Sequence, residues 1–248
     1  MRFWLFFLLV LVLSAPVRAQ STAAEPDSEA ALGHHLAALL TAARSVVSAH
    51  QDVINDPALE DKGVDGDSVV EEAMAIYTER VGRPPLTDDM PELDRRLTEA
   101  LIASIREVVD EHEAQIDMKG VGFKGFIPAV YGRLVSERFN EKVGTEALMK
   151  VTAPEELVRN RKARPDDWER QVIETRFDRA DWPRGDAFTE HVEVNGRPAF
   201  RMLMPEYYSA SCLTCHGEPA GEVDLTGYPK EGRAEGDLAG AVSISLFE

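Results

Sequence analysis

The chain has 248 residues and a formal charge of −17, from 44 Asp and Glu against 27 Lys and Arg. Such an acidic surface repels nucleic acid and anionic lipid, since both are bound through Lys and Arg that neutralise phosphate. It suits solubility and a basic protein partner, and the length fits one large domain or two small ones.

In chain order, Met1-Arg2 precedes an apolar run over residues 3–13, and Val17-Arg18-Ala19 follows as a small-residue cleavage signal. This is the layout of a signal peptide over residues 1–19, cut after Ala19. The apolar run has 11 residues, against the roughly 20 that span a bilayer. The expected product, 20–248, is periplasmic, without a stable membrane span. Losing Arg2 and Arg18 with the leader takes its charge to −19.

Residues 20–29 are small and polar and read as a flexible leader. From Leu32 the apolar positions recur at helical spacing through Leu36, Leu39, Ala43, Val46 and His50. Asn55-Asp56-Pro57 ends that helix. Ser68 with Glu71 forms a capping box for a second helix, with the stripe Val70, Met74, Tyr77 and Val81. Asp89 with Glu92 caps a third, whose stripe runs Leu93, Leu97, Leu101, Ile105, Val108 and His112. Pro128 opens a fourth helix ending near Val143, with Gly144 as its stop. Thr152 and Glu155 open a short helical turn, and residues 166–177 form another helix. The segment 44–54 echoes 106–116, each followed by Lys-Gly-Val, at 62–64 and 119–121; two similar amphipathic helices would give the same pattern by composition.

After Pro183 the pattern becomes that of strands. Residues 188–194 and 197–204 flank Asn195-Gly196, a strong hairpin signal. A two-residue turn sets Val194 opposite Arg197, Val192 opposite Ala199, and Glu190 opposite Arg201 as a cross-strand charge pair. Pro198, lacking an N–H, is expected on an edge. A last strand covers 241–247, with Val242, Ile244 and Leu246 on one face and Ser243 and Ser245 on the other. Helices first and an antiparallel sheet after them predict an α+β fold, with 30–248 as a single domain.

The chemistry-bearing motif is Cys212-Leu213-Thr214-Cys215-His216. Two cysteines separated by two residues reach the two vinyl groups of one haem edge as thioethers, and the next residue then lies beneath the iron, where histidine supplies a nitrogen ligand. The expectation is one covalent haem c held by Cys212 and Cys215, with His216 as an axial iron ligand. A disulfide or thiol-redox pair and a structural zinc site use the same residue types. The pair lies too late in the chain to start a thioredoxin-like βαβ unit, and zinc lacks a fourth ligand.

Glycines 217, 221, 227, 232, 236 and 240 punctuate the segment after His216, either as a loop wrapped round the haem edge or as an ordinary surface loop. Tyr228, Lys230 and Arg233 lie in it as candidates for the haem edge or its propionates. Candidates for the sixth iron position are His50 and His112 on the helix stripes and His191, Met202 and Met204 in the hairpin; an open site is the alternative.

A family resemblance rests on these residues. Ser211 to Gly217, Gly227-Tyr228-Pro229-Lys230-Glu231-Gly232 and the glycine-rich 236–244 carry it, with Gly125-Phe126-Ile127-Pro128-Ala129, Arg159-Asn160 and Pro165-Asp166-Asp167-Trp168-Glu169 upstream. Over most of 30–248 the chain resembles the secreted single c-type-haem PAS-like domains of the Tll type. The resemblance implies N-terminal helices packed around a PAS-like antiparallel sheet, one covalent haem, and redox or gas sensing. Some members ligate the iron with a separate cysteine from the helical half; with no third cysteine here, that ligand set does not carry over. Arg159-Asn160 is followed by Arg161 where the family has proline.

The leading functional expectation is therefore a periplasmic haem sensor or signalling-input module. With no output segment after residue 248, it is expected to need a separate signalling receptor. The alternatives are a small electron-transfer cytochrome and a thiol-disulfide protein using Cys212 and Cys215. With no nucleophile elbow, zinc-protease motif or phosphate loop, the sequence points away from an enzyme.

Overall fold

The computed structural model describes residues 26–248, so the expected signal peptide, 1–19, and residues 20–25 of the expected leader lie outside it. Helix α1 spans Pro26–Ala49, so 26–29 are helical and not part of a leader. A one-turn helix α2, Gln51–Ile54, continues it past a break at His50. Helices α3, Gly66–Val81, and α4, Glu92–Asp110, come next, then the one-turn α5, Glu113–Ile116, and α6, Pro128–Val143.

Two of the expected caps move. The box of α3 is Asp65 with Ser68, three residues earlier than Ser68 with Glu71: Asp65 Oδ1 accepts from the Ser68 N–H at 2.8 Å and Ser68 Oγ from the Asp65 N–H at 3.1 Å. Pro91, with φ −54° and ψ 150°, stands before Glu92 and starts α4 without a side-chain cap; its ring fixes the turn that an Asp89 cap would otherwise set. Val81 and Leu93, at the ends of their expected stripes, are exposed.

The sheet has four antiparallel strands in the order β1-β4-β3-β2. β1, Ala147–Thr152, is not legible in the sequence, because exposed Leu148 and half-buried Lys150 blur its alternation. Short 3₁₀ turns at Glu155–Leu157 and Arg161–Ala163 lead to α7, Asp167–Val172, which loosens into a π turn over Ile173–Phe177. β2, Phe188–Val194, and β3, Arg197–Tyr207, form the hairpin in the expected register, including Val194–Arg197, Val192–Ala199 and Glu190–Arg201. The expected charge pair is not made, however. Arg201 turns to Asp166 (2.8 Å) and Glu169 (3.3 Å) and lies over the Trp168 ring, while Glu190 accepts from Trp168 Nε1 at 2.8 Å.

Pro198 sits on the central strand β3, not on an edge. It lies one residue before pairing with β4 begins at Ala199–Phe247, where a missing N–H costs no ladder bond. The one-turn helix α8 is Leu213–His216, and the last strand, β4, is Leu238–Phe247. The fold is α+β, as expected.

Helix α1 is the centre of the core. Leu36, Ala37, Leu39, Leu40, Ala42, Ala43, Val46 and Val47 are all completely buried, so the helix is covered on nearly every side. Ser28–Ala49 is long and apolar enough to span a bilayer by length and composition, but 61% of that window is buried inside the fold, as the apolar helix of a core would be. α3, α4 and α6 pack round it, and the sheet offers it Met149, Phe200, Met202, Val242, Ile244 and Leu246. The opposite sheet face is partly covered too, by Val172 and Ile173 against Leu203 and Ala241. That second cover explains why Ser243 and Ser245 are buried and not solvent-facing.

The helical half repeats itself at a constant offset of 62 residues. His50 and His112, Ile54 and Ile116, Lys62 and Lys124, Gly63 and Gly125, and Gly82 and Gly144 are each 62 positions apart. α3 and α6 share that spacing at both ends, as do α2 and α5. The bonds between the units are reciprocal: Lys124 N–H donates to Asn55 Oδ1 at 2.9 Å, and Lys62 N–H to Asp117 Oδ1 at 3.2 Å. Gly63 and Gly125 both have positive φ, +61° and +72°, which makes glycine the fitting residue at both. The second copy of Lys-Gly-apolar is therefore Lys124-Gly125-Phe126, and not Lys119-Gly120-Val121. Similar composition would not reproduce matched breaks, glycines and cross-bonds.

Candidate functional site

β3 delivers the chain to Tyr208, and a 3₁₀ turn, Ala210–Cys212, runs straight into α8. Cys212, Cys215 and His216 therefore share one tight right-handed turn. Both cysteines are unpaired and partly buried. Cys212 Sγ lies 3.3 Å from Ser209 Oγ, and Ser211 Oγ lies 3.1 Å from Ser48 Oγ, which sets the turn against α1. Beside it the largely buried Arg44 holds Glu206 through both carboxylate oxygens, at 2.6 and 2.5 Å.

The glycine-rich segment after His216 is built, not loose. Asp224 Oδ1 accepts from Thr226 N (2.8 Å), Thr226 Oγ1 (2.6 Å) and Tyr228 N (3.2 Å), which closes a tight turn. Gly221 N donates to Lys230 O and Lys230 N to Glu222 O, so the segment folds on itself as a small hairpin. Arg233 N then donates to His216 O at 2.8 Å and brings the returning chain back to the motif.

Arg159 stands at the middle of this arrangement. Its Nε and Nη2 meet the two oxygens of Glu231 at 2.9 and 3.1 Å, and Nη1 meets Asp224 Oδ2 at 2.6 Å. Nη2 also donates to the Cys215 carbonyl at 3.0 Å. Against the burial that would raise it, hydrogen bonds from Thr226 and Arg159 hold the Asp224 carboxyl far below the usual range. Glu231 is likewise held low against burial, by Arg159 and His216. Its Oε2 accepts from His216 Nδ1 at 2.7 Å. Tyr208 lies alongside, hydroxyl 3.4 Å from the same nitrogen and ring centroids 5.0 Å apart. Burial, then Glu231, pushes the Tyr208 hydroxyl up to about 12, so it stays protonated.

Of the sequence candidates, Tyr228 is drawn to this cluster. Its hydroxyl donates to Arg159 O at 3.2 Å and its ring faces the Arg159 guanidinium at 5.4 Å. Lys230 pairs with Glu222 at 2.8 Å and Arg233 with Glu156 at 3.7 Å. The five sixth-ligand candidates are scattered. His50 Nε2 bonds Glu72 at 3.0 Å, and His112 Nδ1 bonds Val108 O at 2.7 Å. His191 is on the far end of the hairpin, beside Glu29 and Phe200. Met202 is buried in the core with Sδ against Gly33, and Met204 packs at the core's edge. Among the described residues, no hydrogen bond or ring contact ties any of the five to Cys212, Cys215 or His216.

Sequence reading names none of Arg159, Asp224 and Tyr208 as site residues, nor Glu231. Arg159 is 72 positions from Glu231, so no local spacing announces the pair. Both residues stand in stretches that carry the family resemblance, Arg159-Asn160 and residues 227–232, but their pairing is visible only in the structure.

A catalytic thiol is activated by a lowered pKa, but burial, then Asp224, raises that of Cys215. Among the described residues no three His, Cys, Asp or Glu side chains converge as a metal ion alone would require. His216 has Nδ1 engaged by a carboxylate, and no described residue bonds its Nε2. That is how an iron-ligating histidine is oriented from behind.

Fold and site together define an α+β domain with helices gathered on an antiparallel sheet and a Cys-x-x-Cys-His turn at the sheet's end. A family model described as Tll0287-like matches residues 33–246, nearly the whole described chain, and the protein belongs to that family. Neither the curated proteins nor the solved structures contain a match.

Proposed function

We propose that the protein carries one haem c, joined by thioethers to Cys212 and Cys215 and ligated at iron by His216 Nε2, and that it acts after export to the periplasm as a redox or gas sensor. The observation that carries this reading is the hydrogen bond from His216 Nδ1 to Glu231 at 2.7 Å, the contact that would orient Nε2 as an iron ligand. The two unpaired thiols on the same turn supply the covalent anchors. The haem would supply an iron whose oxidation state or sixth position registers the signal. The chain's own residues hold it: the 3₁₀ turn and α8 space the sulfurs, Glu231 fixes the imidazole, and α1 backs the turn through Ser48. The acidic surface suits a basic receptor that reads the state of the site.

Mass spectrometry of protein produced with cytochrome maturation tests this. The expected mass is residues 20–248 plus one haem, with an α-band typical of two thioethers in the reduced pyridine complex. A colourless product of polypeptide mass alone refutes it. Carbon monoxide added to the reduced protein then separates an open gas-sensing site, which binds it rapidly, from a site closed by a second protein ligand.

A further inference from the structure

We infer that Arg159 and Glu231 form a positioning clamp that sets both the direction and the electron-donating strength of His216; this rests on the haem reading above. Three independent features converge on it. The first is geometry. The Arg159 fork meets Glu231 through two roughly parallel bonds, 2.9 and 3.1 Å, and the same Glu231 oxygen that takes one of them also takes His216 Nδ1 at 2.7 Å. A bidentate guanidinium–carboxylate pair fixes the plane of the carboxylate, and so the direction of the third bond. The second is shared scaffolding. Arg159 also holds the Cys215 carbonyl at 3.0 Å and the Asp224 carboxylate at 2.6 Å, so one side chain locks the anchor turn, the returning hairpin and the histidine partner together. The third is burial. Arg159 and Glu231 are each 18% exposed and His216 is 25% exposed, and at such sites a charged acceptor acts with little screening.

The consequence is electronic as well as steric. Nδ1 donates to an anion, so the ring gains imidazolate character and becomes a stronger ligand through Nε2. A stronger anionic donor favours ferric over ferrous iron and lowers the reduction potential. Arg159 moderates this by sharing the charge on Glu231 and prevents the carboxylate from turning away. Tyr208, at 3.4 Å from the same nitrogen, is too long for a strong bond and leaves Glu231 as the dominant partner.

The test is the reduction potential of the haem-loaded, full-length mature protein and three variants. Glu231→Gln keeps the side-chain length and removes the charge; Glu231→Asp keeps the charge and shortens the reach. Glu222→Gln removes an equal charge from the Lys230 pair in the same hairpin, without contact to His216. Both Glu231 variants are expected to favour the reduced form at least tenfold, about 59 mV for one electron, and Glu222→Gln to leave the potential in place. Nitrogen-15 shifts of His216 in the haem-free chain provide a second readout. Wild type should hold its proton on Nδ1, and the Glu231→Asp variant should show mixed tautomers. Equal potentials in wild type and both Glu231 variants overturn the clamp, as does an equal shift in Glu222→Gln, which would reduce the effect to net charge. Wild type that takes up no haem brings down the haem reading itself, a separate result from a loaded protein whose potential ignores Glu231.

Discussion

Acidification should destabilise the helical half through one buried histidine. His35 on α1 is 7% exposed. Its Nδ1 meets Tyr77 Oη at 2.6 Å and its Nε2 meets Thr98 Oγ1 at 2.8 Å, which ties α1 to α3 and α4. Thr98 donates its own hydroxyl proton to Asp94 O at 2.7 Å, so it must accept from His35 Nε2–H, and Nδ1 must accept from Tyr77. The histidine is therefore neutral in the fold. Burial, with Arg83 nearby adding like charge, lowers its pKa from 6.5 to about 4. A histidine depressed in the folded state contributes stability that is complete above the unfolded value near 6.5. That contribution is lost as pH falls toward the folded value, because the unfolded chain binds the proton first. The window is therefore pH 6.5 to 4. The expected loss relative to pH 7.5 is about 1 kcal/mol at pH 5.5 and about 2–3 kcal/mol at pH 4.5. Urea unfolding of wild type and His35→Leu at the three pH values isolates it, since other groups contribute equally to both. The leucine variant should be less stable at pH 7.5, with Tyr77 and Thr98 left unpartnered, and should lose less stability on acidification by those amounts. Parallel pH dependence in the two proteins would refute the neutral, buried assignment.

Other substitutions have equally direct readouts. Lys62→Met should cost about 2–4 kcal/mol in urea unfolding, because Lys62 Nζ serves the last carbonyls of α2 and α5, Ile54 O at 2.7 Å and Ile116 O at 2.6 Å. Gly33→Val should lower the thermal midpoint by overpacking at a cost of about 1–3 kcal/mol, since a Cβ there already meets Met202 Sδ at 3.0 Å. Cys212→Ser should leave haem on one thioether, seen as a shifted α-band of the pyridine complex, and His216→Ala should move the Soret band while covalent haem remains. Met202→Leu should leave the haem spectrum unchanged, because Met202 belongs to the core beneath α1.

The hairpin and the turn that carries Cys212, Cys215 and His216 are legible because their signals are local: Asn195-Gly196 sets a register by itself, and the three side chains lie within five consecutive residues. β1 escapes because its alternation is broken by Leu148 and Lys150, and its place beside β4 is settled by pairing with residues nearly a hundred positions away. The caps of α3 and α4 shift because several Asp, Ser and Glu residues compete at each start, and the winner depends on backbone geometry. Glu231 belongs to a recognisable sequence pattern that carries no hint of its role, since that role exists only once Arg159 arrives from another part of the chain.

The repeat in the helical half shows how a symmetric unit is made to serve one site. At the 62-residue offset, Gly33, Ala37 and Leu36 of α1 correspond to Arg95, Glu99 and Thr98 of α4. The first set is covered by the sheet and its neighbours, whereas Glu99 is exposed and Arg95 is half-buried, bonded to Thr87 O. Arg44 and Arg106 also correspond, yet Arg44 closes on Glu206 at the end of β3 beside the cysteine turn, while Arg106 meets Asp67 near the surface. The cross-bonds that link the units survive in both copies, whereas buried Gly33 and Ala37 of α1 give way to half-buried Arg95 and exposed Glu99 in α4. Hydropathy thus selects α1 over α4 as the helix that accepts the sheet. That choice places Ser48 and Arg44 against the turn that carries Cys212, Cys215 and His216.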